Sequence, residues 1–125
     1  MRGSKADLPK TMEMEGSVLR TVKWGDMDVA YNTVAKEFDV TPLLKGLPND
    51  LCQSPHWGYI IKGSIKMITK DGEEIFKAGD IYYMPPGHTG VISAGTEFIE
   101  FSPTEKQKLT TEVINRNLKA MQKSM

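Results

Sequence analysis

Cysteine is nearly absent from this 125-residue chain: Cys52 stands alone, so no intramolecular disulfide can form and nothing points to an oxidising compartment. Histidine is almost as scarce, with only His56 and His88. Neither sign of charge predominates, because 16 Lys and Arg balance 16 Asp and Glu, and this removes the electrostatic argument for nucleic acid or an anionic membrane as partner. No apolar run approaches the ~20 residues of a membrane span. The first residues lack the apolar stretch of a signal peptide, so a cytoplasmic protein is expected. No glycine-rich run opens a helix to cradle phosphate, and no Ser/His/Asp set sits in a strand–turn–helix context. At this length one domain and one core are expected, with enough burial to dispense with disulfides.

What the chain does have is a recurrent strand rhythm. Residues 1–16 are polar and are expected to form a loosely held, flexible N-terminal arm, its first four residues resembling an expression tag. Val18-Leu-Arg-Thr-Val-Lys-Trp24 alternates apolar and polar side chains as a half-buried strand does. Met27 to Phe38, β-branched and aromatic, is expected to pair with it after the break at Gly25-Asp26. Asp39 to Pro48 gathers three leucines among prolines and a glycine, the pattern of a short helical turn packing inward. Strands then follow at eight- to twelve-residue intervals, with a bend at Gly63 and a hairpin turn at Asp71-Gly72. That spacing argues for a barrel or sandwich over 17–103. From Thr104 the period changes to helical, with Gln107 placed for a capping box and Leu109, Val113, Leu118 and Met121 along one stripe, so 104–125 is expected to be a C-terminal helix and tail.

Two runs carry the most information: His56-Trp-Gly-Tyr-Ile-Ile-Lys-Gly63 and Gly79-Asp-Ile-Tyr-Tyr-Met-Pro-Pro-Gly-His88. Gly79, Pro85 and Gly87 have the spacing of the second cupin motif, and Gly63 matches the closing glycine of the first. Over residues 50–103 the chain resembles the cupin superfamily. The resemblance implies an all-β, double-stranded β-helix (jelly-roll) barrel, followed here by the helix. It also implies a homodimer paired through an outer sheet, with the N-terminal strand and terminal helix as suitable material.

Metal-binding cupins carry two histidines and a glutamate in the first motif and a histidine in the second. Here the glutamate position falls on His56, the paired-histidine positions fall on Asp50 and Cys52 or on Asn49 and Leu51, and the second-motif histidine position is Gly90. The usual ligand set is therefore erased or rebuilt. A rebuilt set would draw on Cys52, His56 and His88, with Asp50, Cys52 and His56 alternating onto the inward face of one strand. Such a set would suit Zn²⁺ or Fe²⁺. A metal-free pocket is the other outcome, and the missing ligands favour it.

Each candidate has a structural alternative. Cys52 is an apolar filler unless a basic neighbour makes it a ligand or thiolate. His56 lines a pocket or satisfies a structural hydrogen bond, and His88 either joins it or bonds backbone at its turn. Glu100 points into the cavity as acid, base or orienting group, or is solvated on an edge strand. By alternation Trp57 and Tyr59 face away from His56, and Tyr82 and Tyr83 point to opposite sides. His56, His88 and Glu100 are the candidate catalytic residues, with histidine proton transfer the least demanding chemistry. The leading expectation is a barrel binding a small polar or anionic molecule. A metal-dependent oxygenase or isomerase and a non-catalytic sensory or accessory dimer are the alternatives.

Overall fold

The computed structural model describes residues 1–123, and in these the chain folds as two antiparallel sheets with one long helix. The first sheet runs in the order β1 (Lys10–Met14), β2 (Ser17–Trp24), β3 (Met27–Val34), β10 (Thr96–Pro103), β5 (His56–Lys62), β8 (Ile81–Met84). The second runs β4 (Phe38–Asp39), β9 (His88–Ile92), β6 (Ser64–Thr69), β7 (Gly72–Lys77), and helix α1 spans Thr104–Lys123.

At Gly63 the chain passes directly from β5 of the first sheet to β6 of the second. Its φ of +81° lies in the left-handed region, and a β-carbon there would run into Thr96. The amide of Ser64 then donates to Thr96 Oγ1 and Ser93 Oγ, both at 3.1 Å, which ties the crossover to the turn before β10. The β6–β7 hairpin turns one residue earlier than the expected Asp71-Gly72: Thr69 pairs with Gly72, so Lys70-Asp71 makes the turn and Gly72, at φ +136°, opens β7.

Alternation sorts the side chains of both sheets. Ile60, Ile65, Met67, Phe76, Tyr82, Met84 and Phe98 meet between the sheets in one apolar cluster. A second cluster of Leu44, Leu47, Cys52 and Val113, with Val40 and Ile114 beside it, seats α1 against a 3-10 turn at Thr41–Leu44. Asn117 Nδ2 strengthens that seat by donating to the carbonyls of Leu43 (2.7 Å) and Lys45 (2.9 Å).

Four further local expectations change. Lys10–Met14, placed above in a loosely held arm, pairs with β2 as an edge strand, and Leu8 before it is buried. Met27–Phe38 is not one strand, since β3 ends at Val34 and Phe38 pairs in the other sheet. The helix seam is narrower than its apolar pattern implies: Val113, Leu118 and Thr110 are buried, whereas Leu109 and Met121 are 53% and 42% exposed. Leu109 sits about 100° around the helix from Thr110 and so turns to solvent. The capping box is also absent. Thr104 Oγ1 donates instead to Asp28 Oδ1 at 2.7 Å, and Gln107 Nε2 turns to Thr111 Oγ1.

Candidate functional site

Strand register builds the site from the first sheet. Phe101 pairs with Trp57, which puts the inward Ser102 beside the inward His56, with Met84 on the other side. One step along β10, Glu100 faces Gly58, and Gly58 faces Tyr82. A β-carbon on Gly58 would collide with the Tyr82 ring, so the missing side chain is what lets Tyr82 lie across β5 and reach β10. Its hydroxyl donates to Glu100 Oε1 at 2.7 Å, and its ring stacks on Phe76 with centroids 4.7 Å apart.

Cys52 and His88 arrive together by a different device. An isolated bridge joins them: the Cys52 amide donates to the His88 carbonyl at 2.8 Å, and the amides of Gly87 and His88 both donate to the Cys52 carbonyl. Pro85-Pro86-Gly87 aims the second histidine, with Gly87 at φ +87°. His88 Nδ1 lies 2.7 Å from the Pro85 carbonyl. A carbonyl only accepts, so Nδ1 is the donor, and the tautomer of the uncharged ring is the one with its lone pair on Nε2.

His56 is the hub. Its Nε2 lies 3.5 Å from Cys52 Sγ, while Nδ1 lies 2.6 Å from Ser102 Oγ and 3.9 Å from Glu100 Oε2. The two imidazoles meet edge to face with centroids 4.9 Å apart. One donor atom from each of Cys52, His56 and His88 lies within 4.8 Å of the others, and all three residues are buried. Thr110 Oγ1, from α1, closes the far side of the thiol at 3.7 Å.

Burial acts against charge at this cluster, and the neighbours outweigh it. Desolvation would raise the Cys52 thiol, yet hydrogen bonds and charge from His56 and His88 bring it down to about 6. Desolvation would likewise depress His56, but the Glu100 carboxylate and the Cys52 sulfur hold it above its ordinary value. Burial and the adjacent Glu100 push Tyr82 well above the usual phenol range, so it remains a donor.

The cluster forms one wall of a cavity of about 610 Å³ between the sheets. Ile65, Met84 and Phe98 give it an apolar side, and the small Ala30 and Gly90 leave it open. Gln107, Thr110 and Ile114 of α1 also line it.

Cys52, His56, His88 and Glu100 therefore converge. Glu100 is no edge-strand residue, because β10 lies between β3 and β5. Asp50 does not join them. Asn49 and Asp50 both adopt φ +57°, which breaks the alternation before β5 begins at His56, and Asp50 Oδ1 accepts from the Gly46 amide on the surface. Ser102, Thr110, Tyr82 and Gly58 were missed in the sequence. Glycine in a strand interior was the readable signal for Gly58, and Ser102 shares a face with Glu100. Thr110 comes from another element and left no local trace.

No family model matches the sequence, and no curated protein matches it either. Solved structures do. An RmlC-like cupin from Shewanella frigidimarina superposes with a TM-score of 0.58 at 13% identity, over 82% of this chain and 88% of that one. A candidate ethanolamine utilization protein Q from Salmonella typhimurium gives 0.57 at 12% identity, over 81% and 83%. Oxalate decarboxylase from Bacillus subtilis, as its S161A mutant, gives 0.56 at 18% identity, over 81% of this chain but 28% of the enzyme. The fold is the cupin jelly roll. At these identities the likeness shows architecture, and the chemistry has to be argued from the site.

The donor set itself can be tested against a metal ion. Both imidazoles are anchored through Nδ1, one on a backbone carbonyl and one on Ser102 with Glu100 behind it, the pattern that orients histidine ligands. Together with a thiol of lowered pKa they make an N₂S set, whose chemistry fits Zn²⁺. Sulfur makes the set a poorer match for the oxygen-preferring metals.

Proposed function

We propose that this protein binds a small organic molecule in the barrel cavity, its polar or anionic head against Cys52, His56 and His88 and its apolar part against Ile65, Met84 and Phe98. The observation that carries this reading is the buried Cys52–His56–His88 cluster in the wall of a cavity large enough for a ligand. The same three residues would hold a divalent ion, zinc before iron. When bound, such an ion would polarise an oxygen or acidify a water or hydroxyl.

The chain's own residues handle position and proton. Ser102 and Glu100 fix His56 from behind, Pro85 fixes His88, and Tyr82 holds one oxygen of Glu100. The other oxygen of Glu100 is then the acceptor for a ligand proton. The protein works as a pair of identical chains, and its one free buried thiol suits a reducing compartment such as the cytoplasm.

Metal analysis by plasma mass spectrometry on protein purified without chelator tests this. About one zinc or iron per chain in the wild type and none in His56→Ala is the expected outcome. No metal, even after incubation with these ions, defeats the metal-bound form and leaves a metal-free pocket in which His56 and Glu100 move the proton. Thermal-shift screening with small carboxylates would then test that pocket, and the absence of any shift would refute ligand binding there.

A further inference from the structure

The inward side chains of the first sheet lie in rows that cross the strands. One row holds Leu19, Asn32, Phe98 and Ile60, each paired with the next by strand register. Asn32 is the polar member of that row, and it lines the cavity beside Phe98. Ser102, which marks the row of His56, is four residues further along β10, or about 13 Å. The cavity wall therefore runs from the cluster, past the apolar stretch, to a single side-chain amide.

Asn32 differs from its polar neighbours on that wall. Thr21, one row away on β2, donates to Thr11 Oγ1 at 3.1 Å; Glu100 accepts from Tyr82, and Ser102 holds His56. The side-chain amide of Asn32 has no partner among the described residues. A half-buried amide among Leu19, Phe98 and Ile60 costs stability unless something pairs with it, and leucine would fill the place without that cost. Solvent meets such a group until a ligand displaces it. From then on the ligand has to supply the hydrogen bonds itself, and a methyl end there would leave the amide unpaired.

The chemistry of the partner follows from the amide. It offers two donor protons and an acceptor oxygen, so its complement both donates and accepts, as a hydroxyl or a carboxamide does. The complement is also uncharged, because a charge would lose its hydration against Leu19 and Phe98 for one neutral partner.

We propose that Asn32 selects ligands whose far end, past the apolar stretch, is an uncharged hydrogen-bonding group: acids of medium chain length that carry a terminal hydroxyl or carboxamide. This rests on the cavity-binding reading above and adds the chemistry of the ligand's second end.

Isothermal titration calorimetry on the full chain with octanoate, ω-hydroxyoctanoate and suberate tests it, since these place a methyl, a hydroxyl and a carboxylate at one end of a similar chain. The hydroxy acid is expected to bind at least about 10-fold tighter than either of the others. In Asn32→Leu the order is expected to reverse in favour of octanoate. In Asn32→Asp the preference is expected to pass to ω-aminooctanoate, whose ammonium meets the new carboxylate. Octanoate or suberate binding the wild type as tightly as the hydroxy acid overturns the proposal and leaves the cavity reading standing. A hydroxyl preference that survives Asn32→Leu removes Asn32 as its source and overturns it too. If Asn32→Leu does not fold, Asn32→Asp decides: a switch to the amino acid supports the assignment, and an unchanged order refutes it. Failure of every probe to bind the wild type defeats the cavity reading and this inference with it.

Discussion

The barrel interior has two regions built from the same strands and put to opposite uses. β5 contributes Ile60 to the dry cluster and His56 to the site; β10 contributes Phe98 to one and Ser102 to the other; Met84 of β8 touches both. Alternation decides only that these side chains point inward. Distance along the strand decides whether the neighbour is Phe76 or Cys52. One region supplies stability and the other holds polar groups that cost stability unless each finds a partner.

The largest expected effect comes from attacking the dry region. Ile60, fully buried, should cost about 3 kcal/mol on truncation to alanine, read by denaturant unfolding. His56→Ala should cost much less in metal-free protein, and an equal loss would show that the two regions are not divided in this way.

Next comes the residue joining them. Gly58→Ala should displace Tyr82 from both Phe76 and Glu100 and cost about 2 kcal/mol. Tyr82→Phe, which keeps the stack and loses the hydrogen bond, should cost about 1 kcal/mol. Near-ultraviolet dichroism should change in the first variant and hold in the second.

A smaller and more specific effect is on pH dependence in metal-free protein. Cys52 is depressed to about 6, so its contribution to stability is present above the ordinary thiol range and is lost as pH falls through about 6. His56 is raised, so its contribution is complete below the ordinary imidazole value and is lost as pH rises through its folded value. The thiolate–imidazolium pair is therefore favoured from about pH 6 up to the raised value of His56. Thiolate absorbance near 240 nm, followed against pH, should show a midpoint near 6 that moves upward in His56→Ala. A midpoint unchanged by that substitution would remove His56 as its cause. The smallest effect belongs to the solvated surface, where Lys66→Ala should change stability by less than about 0.5 kcal/mol.

Much of this was legible because strand alternation, turn glycines and the Pro-Pro-Gly run are local signals. They placed His56 inward, Trp57 outward and His88 after its turn. Glu100 was ambiguous for a physical reason: Phe98 and Glu100 share one face and Ile99 and Phe101 the other, so local pattern leaves its direction open. Cys52 meets His88 through a backbone bridge between residues 36 positions apart in the chain, which no local period encodes. Asp50 failed because two consecutive left-handed residues reset the alternation on which its placement depended.

His56 belongs to the first sheet and His88 to the second, and the chain crosses between the sheets both at Gly63, at one end of β5, and at Pro85-Pro86-Gly87, beside the cluster at the other. Seven residues of strand put the Gly63 crossing and the cluster about 23 Å apart. The cluster therefore lies where backbone already stitches the two sheets, at the Cys52–His88 bridge. An ion shared by His56, His88 and Cys52 would be a rivet through that seam, joining by side chains what the backbone has already brought together.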